Sequence, residues 1–99
     1  HLSHPVEEYI TNIVRATRNH SSLRLGASPR GSLGLMRSGQ ALAALRGRQY
    51  VLPDDIKSLV LPVLAHRLIV KEEDRLRGET PEHFLEEIIH QIPIPVPTE

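Results

Sequence analysis

Prolines stand at the head of four apolar-periodic segments of this chain, and that placement limits its fold more than any other feature. Proline lacks an N–H and fixes φ near −65°, so it suits the first turn of a helix, where the amides have no partner within the helix. Pro5 precedes Val6, Tyr9, Ile10, Ile13, Val14 and Thr17, whose i, i+3, i+4, i+7 spacing puts them on one helical face. Glu7 and Glu8 complement the positive end of that helix, Arg15 and Arg18 its negative end, and a helix over 5–19 is predicted. Ser28-Pro29 opens a second helix over 29–46, with Leu33, Met36, Ala43 and Ala44 on one side, Leu35, Leu42 and Leu45 beside them, and Gly47 as the stop. Gly34 and Gly39 each cost that helix up to ~1 kcal/mol against Ala, so it must be held by neighbours, which its small residues let come close.

Pro53, Asp54 and Asp55 start a third helix carrying Ile56, Leu59, Val60, Val63 and Leu64, with Pro62 inside it as an expected kink near Ser58. Thr80-Pro81 starts a fourth, whose apolar face is Phe84, Leu85, Ile88, Ile89 and Ile92. Between them, Lys71 to Glu79 is nearly all charged and reads as a solvated connector with at most one helical turn. Leu23, Arg24 and Leu25 alternate briefly, and Gln49, Tyr50 and Val51 read as extended. Pro93, Pro95 and Pro97 force an extended tail over 93–99. The expectation is a single all-α domain over 1–99, a small bundle of about four helices with at most very short strands.

With 99 residues and 39% hydrophobic content the chain can build one core, and without cysteine it has no disulfide scaffold, thiol nucleophile or thiolate metal site. No apolar run reaches the ~20 residues of a membrane span, so the default expectation is a cytoplasmic protein without membrane contact. The start at His1 rather than Met suggests a mature fragment or an excised domain. The formal net charge is zero but segregated: residues 1–50 carry seven arginines against Glu7 and Glu8, and residues 51–99 carry five basic against ten acidic side chains. Balanced charge and only Tyr9, Tyr50 and Phe84 as aromatics argue against a nucleic-acid platform, which needs a basic field and stacking rings.

Gly26-Ala27-Ser28-Pro29-Arg30-Gly31 is the segment most suggestive of a ligand, because a helix N-terminus favours an anion and Arg30 adds a full charge on the first turn. Taken alone, the same residues also suit an ordinary cap, turn and solvated arginine. The rest of a phosphoryl-transfer site is missing: no G-x-x-x-x-G-K-[ST] occurs, since neither Lys57 nor Lys71 follows a glycine. His1 and His4, and His83 and His90 with Glu86 and Glu87 nearby, do not make a set of three or four convergent ligands, so no metal site is expected. Arg18 and Arg67, each at a helix end, are placed to bond the last carbonyls. On these residues alone a helical interaction module docking a basic partner through its acidic half, or a nucleic-acid adaptor using its basic half, stays open.

Five motifs in order narrow the choice: Ala16-Thr17-Arg18, Leu25-Gly26-Ala27-Ser28-Pro29-Arg30, Gly47-Arg48 before Tyr50-Val51, Pro53 with Asp55, and Leu64-Ala65-His66-Arg67-Leu68. Together they resemble the C-terminal lid domain of MoxR-type AAA+ ATPases over nearly all of residues 5–96. The resemblance implies a helical lid closing over ATP and Mg2+ held mainly by a separate P-loop core of the same chain. It assigns Arg30 the sensor 2 role at the γ-phosphate, a catalytic contribution, with Ser28, Pro29, Arg30 and Gly31 as the nucleotide-facing segment. It further implies chaperone-like hydrolases, often hexameric rings, that act with von Willebrand factor A proteins in maturing other proteins. One departure is Gly39, which stands where a helix-favouring small residue is expected. The isolated domain is not expected to turn over ATP.

Overall fold

The helix starts follow the prolines. In a computed structural model, which describes residues 2–21, 23–25 and 28–95, the order is α1 (His4–Asn19), β1 (Leu23–Leu25), α2 (Pro29–Leu45), α3 (Pro53–Leu64), a 3-10 turn (Ala65–Arg67), β2 (Ile69–Val70), α4 (Glu72–Leu76) and α5 (Pro81–Gln91). Among the described residues five α-helices, not four, make the all-α bundle. The added helix lies in the charged connector, where Glu72, Glu73 and Asp74 fill the first turn and complement its positive end. Gly78 at φ 87° then closes it, the Gly78 N–H bonding the Arg75 carbonyl and the Glu79 N–H that of Asp74. The tail shows no regular structure from Pro93 to Pro95, and 96–99 lie outside the described residues.

β1 and β2 pair antiparallel, Leu23 with Val70 and Leu25 with Ile69, with an irregularity between the two pairs. This short ribbon ties the segment before α2 to the segment before α4. Gln49 and Tyr50, expected to be extended, form bends instead, and only Val51 of that segment turns into the core. α3 runs on through Pro62 to Leu64 and then tightens into the 3-10 turn, where the Arg67 Nε donates to the Val63 carbonyl as expected.

Ile13, Leu35, Ile56, Val60, Leu64 and Leu85 are wholly enclosed and mark the centre of the core. The face of α2 that reaches it differs from the sequence expectation. Gly31, Leu35, Gly39 and Ala43 are buried, while Leu33, Ala44 and Leu45 are exposed. A four-residue repeat of small side chains around one leucine wins because it lets α3 come close. A methyl built on Gly39 would lie 2.6 Å from Ile56 Cδ1 and 3.3 Å from Val51 Cγ1, and one on Gly34 would lie 3.2 Å from Val63 Cγ1. Gly39 therefore sits where the Ile56 side chain of α3 packs directly onto the backbone of α2, and α2 is continuous through it.

Candidate functional site

α2 begins at an N-cap, Ser28, in extended backbone, with Pro29 in the first turn. The expected hydroxyl cap is not made: the Ser28 side chain bonds no first-turn amide, unlike Thr80, whose Oγ1 accepts the His83 N–H at 3.2 Å. The Ser28 carbonyl takes over, accepting the N–H of Gly31 at 2.8 Å and of Ser32 at 3.4 Å. With Pro29 lacking an amide, the first turn keeps little backbone N–H for a ligand, and the anion-attracting power of this helix head rests on the Arg30 side chain. Ser28, Pro29 and Arg30 are exposed, whereas Gly31 turns inward at the head of the buried stripe. Gly26 and Ala27 lie outside the described residues. Among the described residues Arg30 makes no ion pair, and α2 carries no Asp or Glu over its whole length.

At the opposite end of α2 the arginines behave differently. Gly47 adopts φ 76°, its N–H bonds the Ala44 carbonyl, and the Arg48 N–H bonds that of Ala43, a glycine-terminated helix end. That reversal brings Arg46 and Arg48 onto Asp55, which is fully buried in the first turn of α3. Arg48 grips the carboxylate with two bonds of 2.7 Å, Arg46 adds one of 3.0 Å, and the Leu52 N–H one of 2.8 Å. The Arg48 hydrogen bonds hold the Asp55 carboxyl below the usual range, helped by the Leu52 amide and against the opposing effect of burial. Arg48 also donates to the Tyr50 carbonyl at 3.2 Å, and its guanidinium lies 5.9 Å from the Tyr50 ring centre.

Sequence reasoning noted Gly47-Arg48 and Asp55 as motif residues but missed this cluster. The signal was present, in an acid at the third helical position able to bond the N-cap amide, with arginines just across a glycine turn. Thr17, another motif residue, is buried in α1 with its Oγ1 on the Val14 carbonyl at 2.7 Å, and His66 is exposed in the 3-10 turn. His83 lies 3.3 Å from Glu79 and 3.4 Å from Glu87, whose other oxygen is 3.4 Å from His20. His90 instead bonds the Glu86 carbonyl. Among the described residues no three His, Asp or Glu side chains converge as metal ligands, and no helix is long and apolar enough to cross a membrane. The Tyr9 hydroxyl is buried without a partner among them, and burial followed by the Asp54 charge pushes its phenol up.

The comparisons with known proteins agree with this architecture. The family model for the AAA lid domain matches residues 15–88. The uncharacterized protein YeaC of Bacillus subtilis is 44% identical over 92% of this chain and 28% of its own length. Chaperone MoxR1 of Mycobacterium tuberculosis is 32% identical over 95% of this chain and 27% of its own. A crystal structure of a candidate ATPase from Cytophaga hutchinsonii superposes with a TM-score of 0.90 at 33% identity, covering 96% of this chain and 32% of that one. A helical bundle of this topology, with five lid motifs on it, is an AAA-type lid. The chain belongs to the AAA lid domain family, as the lid of a MoxR-family AAA+ ATPase. It spans less than a third of the length of these relatives.

Proposed function

We propose that this lid closes over ATP bound to a P-loop core in the same polypeptide and that Arg30 is its sensor, contacting the γ-phosphate. The observation that carries this reading is the contrast along α2: Arg46 and Arg48 are engaged by Asp55, whereas Arg30 stands exposed on an acid-free helix and pairs with no carboxylate among the described residues. A guanidinium so placed fits a phosphate, which it can meet with a planar fork of donors. When bound, ATP supplies the phosphoryl group and Mg2+ its charge compensation; the core would hold both. Arg30 would supply positive charge where negative charge builds on the transferring oxygens, Ser28 and Pro29 would set the backbone from which it projects, and Gly31 would anchor that turn inward. Lid motion driven by this contact would serve a chaperone-like role in the cytoplasm, remodelling or maturing partner proteins within a ring of subunits, hexameric in form and working with von Willebrand factor A proteins.

Steady-state kinetics on the full-length ATPase test the assignment. Arg30→Ala is expected to lower kcat by ~10²-fold or more, the scale of a lost transition-state donor, and to reduce ATP affinity less. Arg30→Lys restores part of the rate, because charge is kept and the fork is lost. Arg75→Ala, an exposed charge on α4, stays near wild type. Wild-type turnover in Arg30→Ala would return Ser28-Pro29-Arg30 to the status of an ordinary helix start.

A further inference from the structure

α2 presents a second arginine on the face that carries Arg30. A seven-residue step turns an α-helix through almost two full turns, so Arg37 lies within about 20° of Arg30 around the axis and roughly 10 Å along it. The exposed residues Arg30, Leu33, Arg37, Ala41 and Ala44 share this side, opposite the buried stripe of Gly31, Leu35, Gly39 and Ala43. Side chains on a helix lean toward its N-terminus, and one turn back from Arg37 on this face stands Leu33, 42% exposed, an apolar neighbour suited to an arginine's methylenes. Among the described residues Arg37, like Arg30, makes no ion pair, and α2 offers neither of them an acidic neighbour. Of the four arginines on α2 and its C-terminal turn, the two at the tail are held by Asp55 and the two on the outer face are not.

We propose that Arg37 is a second nucleotide-binding residue, acting beside Arg30 on the same ligand and taking its inner phosphates while Arg30 takes the outermost one. This rests on the reading of α2 as the nucleotide-facing helix. The Cα atoms of Arg30 and Arg37 are roughly 10 Å apart along the axis, and two long side chains leaning together from there can meet successive groups of one extended anion, as a chain of phosphates provides. Because the inner phosphates are common to ATP and ADP, Arg37 contributes equally to the affinity of both, whereas Arg30 discriminates between them.

Equilibrium binding of ATP and of ADP to the full-length ATPase, with kcat at saturation, separates the two roles. Arg37→Ala is expected to weaken ATP and ADP alike by about tenfold, the scale of one lost charged hydrogen bond, and to act on KM more than on kcat. Arg37→Lys recovers most of the affinity, and the melting temperature is unchanged because Arg37 is exposed and makes no ion pair among the described residues. Arg30→Ala weakens ATP more than ADP and lowers kcat. ADP affinity equal to wild type in Arg37→Ala overturns the inference and leaves the Arg30 assignment standing. Wild-type turnover in Arg30→Ala, with ADP affinity lost in Arg37→Ala, sinks the sensor assignment and keeps Arg37 as a binding residue. An equal loss in Arg75→Ala, or impaired ring assembly with unchanged ADP affinity, overturns it too, the first by revealing a general charge effect and the second by giving this face to a protein carboxylate.

Discussion

The two ends of α2 use the same side chain for opposite purposes. At the C-terminal end a glycine reversal folds Arg48, 19% exposed, and Arg46, 53% exposed, onto a buried carboxylate; at the N-terminal end Arg30 faces solvent from a turn whose own amides are largely engaged. What separates them is the presence of a buried acid within reach. An arginine with such a partner fixes the fold, and one without it is available to something outside.

The contrast is broken most severely at Asp55. Asp55→Ala removes the acceptor of four hydrogen bonds and leaves the Leu52 amide and two guanidiniums to find new partners, so the 99-residue chain is expected to lose about 2–3 kcal/mol in urea unfolding. Arg48→Ala should follow it closely and Arg46→Ala should do much less, because Arg48 makes both short bonds and is the more enclosed. The same site sets the acid limit. A carboxyl whose folded pKa is depressed contributes stability that is fully present above its unfolded value, near 3.9, and is lost as pH falls through the folded one. Unfolding followed from pH 7 down to pH 2 should show stability falling below about pH 4 in the wild type, and less of that fall in Asp55→Ala.

A smaller effect is expected midway along α2. Gly39→Ala gains helix propensity but forces a methyl against Ile56, for a net loss of about 1 kcal/mol. In an Ile56→Val background, which deletes the atom at 2.6 Å, the same substitution becomes neutral or stabilising, and a double-mutant cycle measures the difference. Least affected is the stability of Arg30→Ala, which should stay within about 0.5 kcal/mol of wild type by thermal melting. A large loss there would mean that both ends of α2 serve the fold.

Helix starts were legible because proline and the dipole act locally, and Pro5, Pro29, Pro53 and Pro81 each lie in the first turn of a helix. The core-facing side of α2 was not, because leucines exposed at 33 and 45 carry the same hydropathy as the buried Leu35, and only the proximity of Ile56 explains why glycines line the contact. The Arg48–Asp55 pairing was half legible: both residues belonged to motifs, but their meeting depends on a backbone reversal at Gly47 that residue types alone did not orient. Helix α4 was hidden by its charge, since one short helix with no buried residue has no apolar period to detect. The segment around Arg30, proposed as the phosphate contact, was legible as a candidate because its serine, proline and arginine are consecutive residues.

The closeness of α2 and α3 has a mechanical side. Pinned at its C-terminal end by the Arg48–Asp55 grip and pressed against Ile56 at mid-length, α2 moves with α3 as one stiff arm, and its 17 residues make that arm about 25 Å long. A rotation of about 5° of the paired helices about the Gly47 end displaces the Arg30 end by roughly 2 Å, enough to make or break a hydrogen bond. With Arg30 meeting a phosphate as proposed, leverage of this kind would convert a small change in the angle of the lid into an all-or-none contact at its tip, and would run equally well in reverse.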